Sequence, residues 1–194
     1  MPLTVANKGE RIYIDTMVLV YYFYTKQHKQ FSEQAKRFLQ RVENNKFEGV
    51  ISSVTLMELI KVLRELLITY GPIHDMNVIE SIINQQIKEL YSMKHICFVE
   101  GRPPDFEPAT EVEKLYYYTI INKSLKLLQT CTGKVGANYQ SGLPEHSGLH
   151  PIDIMHVVLA KQLNCNHIAT FEWNFREAQG EVPPLILQDN NSLW

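Results

Sequence analysis

Short β-branched and aromatic runs alternate along this chain with longer stretches whose apolar residues recur at helical spacing, and that alternation restricts the fold more than any other feature. The strand-like runs are Arg11-Ile12-Tyr13-Ile14, Gly49-Val50-Ile51-Ser52, His95-Ile96-Cys97-Phe98-Val99, His167-Ile168-Ala169-Thr170-Phe171 and Pro184-Leu185-Ile186-Leu187. Between them, Phe31 to Val42 places Phe31, Ala35, Phe38, Leu39 and Val42 on one helical stripe, with Lys36, Arg37 and Arg41 toward the polar side. A further helix opens at Ser53 and runs to about Thr69, where Tyr70-Gly71-Pro72 stops it, and another spans Met76 to Met93. Ala109 to Thr132 reads as helix too, and Pro151 suits the first turn of the last one, because its missing N–H has no partner there. Strands separated by helices in this order specify an α/β fold with a mostly parallel sheet.

The chain has 194 residues and is 45% hydrophobic, enough for one well-buried domain, so residues 1–194 are expected to form a single domain elaborated at about 102–149. A net charge of -2 and a pI near 6.4 leave any polyanion partner dependent on a local basic patch. Cys97, Cys131 and Cys165 are far apart and make no C-x-x-C pair, which fits reduced, packed thiols rather than a disulfide framework or a zinc site. Met1 to Arg11 has no apolar signal core, and no apolar run approaches ~18 residues, so a cytoplasmic protein with no membrane contact is expected. Neither G-x-G-x-x-G nor G-x-x-x-x-G-K-[ST] occurs, which removes the main support for dinucleotide and P-loop chemistry. The segment Gly133 to His150 is glycine-rich and aperiodic, as expected of a flap beside Asp153, with Lys134, His146 and His150 as contacts. Within the Tyr116-Tyr117-Tyr118 triplet at least one ring should be exposed.

Four acids fall at matching places in this pattern. Asp15 follows the first strand, Glu58 lies in the helix after the second, Asp153 starts a helix and Glu172 follows the fourth strand. Each has a structural explanation: Asp153 complements the helix dipole, Thr55-x-x-Glu58 has capping-box spacing, and Glu172 suits a solvated loop. Yet all four belong at the carboxyl edge of the sheet, where open α/β folds bind ligands. A cap is worth roughly 1 kcal/mol, whereas two carboxylates about 4 Å apart repel by up to about 4 kcal/mol near a protein surface. If the four converge, capping alone does not account for them. An all-oxygen set then favours a hard cation, Mg²⁺ or Mn²⁺.

The motifs Ile-Tyr-Ile-Asp15-Thr16, Ser53-Val-Thr-Leu-Met-Glu58-Leu, Ile-Asp153-Ile-Met-His-Val-Val-Leu-Ala160 and Ala-Thr170-Phe-Glu172-Trp-Asn-Phe175 resemble, in order and spacing, those of the PIN-domain ribonucleases, including VapC-type toxins. The resemblance implies a three-layer α/β/α fold and a divalent-metal-dependent endoribonuclease that hydrolyses RNA phosphodiester bonds. It puts Asp15, Glu58 and Asp153 on the acidic metal positions, Glu172 on the fourth acidic position and Thr170 on a hydroxyl position, with Thr16 and Thr170 expected to orient carboxylates and waters. It also implies a toxin–antitoxin pair, with an antitoxin protein as partner and a homodimer. The sequence departs from the family in three respects. Glu172 replaces the usual Asp, the region from about Arg102 to Leu149 is longer than in compact toxins, and the pI is acidic. Phosphate contacts are therefore sought among Lys61, Lys134, Lys26, Lys29, Lys36, Arg37 and Arg64. The alternatives are a catalytically degenerate RNA-binding or assembly module, and a phosphatase or DNA nuclease using the same acids.

Overall fold

The computed structural model describes residues 8–25, 28–71, 73, 75–99, 149 and 151–188. In chain order the elements are β1 (Arg11–Ile14), α1 (Thr16–Phe23), α2 (Lys29–Glu43), β2 (Glu48–Ser52), α3 (Ser53–Thr69) and α4 (Met76–Ser92). They are followed by β3 (Ile96–Val99), α5 (Pro151–Gln162), β4 (His167–Thr170), a 3-10 turn (Trp173–Ala178) and β5 (Pro184–Ile186). The expected helix at Ala109 to Thr132, the tyrosine triplet, Cys131 and the Gly133 to His150 loop, Leu149 apart, lie outside the described residues.

The five strands form one sheet in the order β3-β2-β1-β4-β5, and every pairing is parallel. "Mostly parallel" therefore becomes wholly parallel among the described strands, as helical crossovers between successive strands require. Side-chain alternation splits the core in two. Ile12 and Ile14 point into a cluster with Leu19, Phe38, Leu39, Leu59, Leu63, Ile79 and Leu90 from α1 to α4. Tyr13 points the other way, joining Val50 and Ile168 against Ile154, Val157, Val158 and Phe175 from α5 and the 3-10 turn. Helices thus cover both faces, giving three α/β/α layers. The apolar stripes of α1 and α2 are mostly spent in this core, with Val18, Leu19, Val20, Ala35, Phe38, Leu39 and Val42 buried.

Gly49 lets α2 sit close to the sheet: a Cβ there would stand 2.8 Å from Ile14 Cδ1 and 3.1 Å from Val42 Cγ1. Cys165 is a core thiol whose burial pushes its pKa up to about 12. Among the described residues no helix is long and apolar enough to cross a membrane.

Candidate active site

β1 is the pivot of the sheet, with β2 and then β3 on one side and β4 and then β5 on the other. Chains leaving β1 and β4 therefore diverge and open a crevice at the carboxyl edge. Asp15 is the first residue beyond β1, and its backbone N–H donates to the carbonyl of Ala169 on β4 at 3.0 Å. It occupies the N-cap of α1, yet its side chain makes no capping bond. Instead Asp15 Oδ2 accepts from the hydroxyl of Thr170 at 2.8 Å, a contact that exists only because β4 lies beside β1. The same Thr170 Oγ1 accepts the backbone N–H of Glu172 at 3.0 Å, tying the chain after β4 to the end of β1. Glu172 likewise caps no helix with its side chain, although it stands at the N-cap of the 3-10 turn.

Glu58 lies inside α3, and the capping box expected of Thr55 and Glu58 does not form. The N-cap is Ser52, the last residue of β2, whose Oγ accepts from the N–H of Thr55 at 3.2 Å. The helix starts at Ser53, as expected, so Thr55 is already inside it and Glu58 lies beyond the first turn. Its Oε2 accepts from the hydroxyl of Thr16 at 2.6 Å and from Nε2 of His156 at 3.0 Å.

His156 is the residue that sequence reasoning passed over. It is fully buried on α5, three residues after Asp153 and so on the same helix face. Its Nε2 stands 3.0 Å from Glu58 Oε2 and 3.9 Å from Asp15 Oδ1, so two carboxylates flank one ring nitrogen. Its Nδ1 meets the hydroxyl of Tyr13 at 2.9 Å, and that hydroxyl also contacts Ser52 Oγ at 2.6 Å and Thr55 Oγ1 at 3.0 Å. Since a carboxylate only accepts, Nε2 must carry a proton. Nδ1 then either accepts from Tyr13 or donates to it, and the neighbouring hydroxyls satisfy either arrangement. The spacing of His156 from Asp153 was a local signal that could have found it; Tyr13 offered none beyond its strand position.

Electrostatics ties the acids together. Burial pushes Asp15 up to about 6, against the pull of His156 and the Thr170 hydrogen bond, and the charges of Asp153 and Glu58 push it further. Glu172 rises to about 7, first through burial and then through Asp153, Asp15 and Glu58, with His156 opposing. His156 is raised to about 10: burial alone would lower it, but Tyr13, Glu58 and Asp15 together outweigh that. Asp153 itself is buried at the start of α5. All four sequence-predicted acids are thus within electrostatic reach of one another, with Thr16 and Thr170 bonded to two of them. Lys61 is exposed on α3 and is not drawn into this network, and Lys134 lies outside the described residues.

The donor set suits a hard divalent cation. It is all carboxylate oxygen, and the raised pKa values of Asp15 and Glu172 come first from burial and then from the neighbouring acids, both of which a bound cation would counter. Among the described residues, no three His, Cys, Asp or Glu side chains are already grouped closely enough to hold an ion.

The profile of the PIN domain matches residues 12–181. No curated protein sequence matches the chain. Among solved structures it is similar to VapBC2 of Rickettsia felis bound to a DNA fragment from their promoter, at 14% identity and a TM-score of 0.50, covering 89% of this chain and 96% of that one. It is also similar to VapC20 of Mycobacterium tuberculosis, a toxin that cleaves the sarcin-ricin loop, at 11% identity and a TM-score of 0.49, covering 89% of this chain and 97% of that one. At 14% identity the likeness to VapBC2 is one of fold alone.

Proposed function

Because the chain belongs to the PIN-domain family, which accounts for residues 12–181, we propose that it is a divalent-metal-dependent endoribonuclease hydrolysing RNA phosphodiester bonds. The observation that carries this reading is the coupling of four carboxylates from separate elements at the switch point of the sheet, two of them pushed to about 6 and about 7. Capping does not require such a cluster, and two of its members forgo capping bonds altogether.

In this reading Asp15, Asp153, Glu58 and Glu172 would hold Mg²⁺ or Mn²⁺. When bound, such an ion acidifies a water for attack at phosphorus and neutralises charge on the phosphate oxygens. The protein's part is orientation. Thr170 fixes one oxygen of Asp15, while Thr16 and His156 converge on one oxygen of Glu58, so these two carboxylates are aimed before any ligand arrives. The imidazole Nε2–H between Asp15 and Glu58 also limits the repulsion that their burial would otherwise create. No side-chain nucleophile is needed. RNA cleavage assayed with Mn²⁺ is expected to fall by about a hundredfold or more in Asp15→Asn and Asp153→Asn, as second-row carboxylate contacts alone already cost 10- to 100-fold; equal turnover in all three proteins would end the proposal.

The whole chain is read as one domain, and the likeness in fold to VapBC2 favours a toxin role with an antitoxin as partner; the homodimeric assembly is carried over from the family resemblance alone. Co-expression with a neighbouring small gene product, followed by mass measurement of the purified complex, tests both. One observation favours the degenerate alternative: His156 already pairs with Glu58, as in a site whose charge is balanced internally. RNA binding without turnover in Mg²⁺, Mn²⁺ or other divalent ions, on structured and single-stranded RNA alike, would decide for an RNA-binding or assembly module. Single-stranded DNA and small phosphate esters in the same assay separate the remaining rivals.

A further inference from the structure

Trp173 follows Glu172 directly and is 43% exposed, although it belongs to a turn otherwise anchored by buried Phe175 and Ala178. The indole is held on two sides. Its Nε1–H donates to Gln188 Oε1 at 3.1 Å, and the amide nitrogen of Gln188 donates to the carbonyl of Phe171, between Thr170 and Glu172. The guanidinium of Arg176 lies over the ring at 3.9 Å from its centroid and is itself exposed. Ring orientation is thereby coupled to the same short segment that sets Glu172.

An exposed indole costs little to place if it is merely a surface residue, but nothing in that role calls for pinning both its edge and its face. A fixed aromatic that carries a cation on one face and still leaves 43% of the residue exposed offers what an unpaired nucleobase and its phosphate require. The charge matters as well: the four acids repel a phosphate backbone, and Arg176, exposed three residues after Trp173, supplies a cation on the indole itself. We propose that Trp173, with Arg176 stacked on it, forms a nucleobase-stacking subsite that holds a single-stranded RNA nucleotide next to the acidic crevice. This rests on the ribonuclease reading in naming RNA, and it assigns a binding function to residues outside the carboxylate set.

The test is binding of fluorescein-labelled ten-residue oligouridylate and oligoadenylate in Ca²⁺, with RNA integrity checked on a gel. Trp173→Ala is expected to weaken binding by about tenfold, the scale of one lost base–aromatic stack, while Trp173→Phe stays within about threefold. In a Trp194→Phe background, RNA should quench the remaining tryptophan. Inorganic polyphosphate, which has charge but no bases, should bind wild type and Trp173→Ala alike. Unchanged RNA affinity in Trp173→Ala, an absent quench, or an equal loss for polyphosphate would each overturn the subsite. A wild type that binds no RNA overturns it together with the ribonuclease reading. RNA bound with Trp173-dependent affinity yet never cut in Mn²⁺ would leave the subsite standing and remove only the enzyme.

Discussion

Tyr13 shows how far a single side chain can differ from its role as a strand residue. Its ring fills the layer between β1 and α5, while its hydroxyl joins Ser52, Thr55 and His156 in a buried network. Replacing it with Phe keeps the packing and removes one oxygen, taking from Nδ1 of His156 its hydroxyl partner while Ser52 and Thr55 still bond to each other. We expect Tyr13→Phe to destabilise by about 1–3 kcal/mol, the usual penalty for stranded buried polar groups, read as a lowered urea midpoint at unchanged slope. A midpoint equal to wild type would mean that water replaces the hydroxyl. Residue type and place in the strand-helix pattern pointed to the four acids, because carboxylates recurring after strands and near helix starts carry a chemical signature. Tyr13 and His156 carry none until the fold gives them partners.

At the scale of elements, the junction of β2 and α3 decides where Glu58 points. Ser52 is both the last strand residue and the helix cap, so no loop intervenes and α3 starts in a fixed direction. Sequence periodicity placed the helix correctly from Ser53 to Thr69, and only the capping-box spacing of Thr55 and Glu58 misled, since Thr55 and Ser52 are both acceptable cap residues three positions apart. Thr55 is instead buried against Tyr13. Ser52→Ala removes the bond to Thr55 N and the contact with Tyr13 Oη together, and about 1–2 kcal/mol of stability should go with them. Ser52→Thr keeps a hydroxyl and should recover most of it. Chemical denaturation of the two variants measures this, and equal losses in both would point to crowding rather than capping.

The whole molecule keeps an unfavourable charge cluster at its crevice, which sets how its stability should vary with pH. For Asp15 and Glu172 the folded pKa lies above the unfolded value, so the native state binds the proton more tightly. Their favourable contribution is present near pH 4 and is lost as pH rises through about 6 and about 7. His156 behaves differently: its contribution is complete below the ordinary histidine value near 6.5 and disappears only as pH climbs through about 10. Without divalent cations, thermal stability should therefore fall from pH 5 to pH 8. Asp15→Asn should melt higher than wild type at pH 8, with the gap closing toward pH 4. Mn²⁺ at about a hundredfold over its dissociation constant should add about 2.7 kcal/mol at neutral pH, and Asp153→Asn should reduce that gain. Calorimetry showing neither the decline with pH nor the stabilisation by Mn²⁺ would contradict a cation site built from these acids.

The chain by itself determined which of the described segments are strands and helices, that the sheet is at least mostly parallel, and that Asp15, Glu58, Asp153 and Glu172 belong near its carboxyl edge. Each of these follows from local periodicity and from residue chemistry at element ends, information that a few consecutive positions contain. Only the tertiary structure decided that β4 lies beside β1, so that Thr170 reaches Asp15 across 155 positions, and that His156 meets Glu58 across 98. Those contacts depend on strand order and on which helix face turns inward, and both are set by the packing of the entire core rather than by any stretch of sequence.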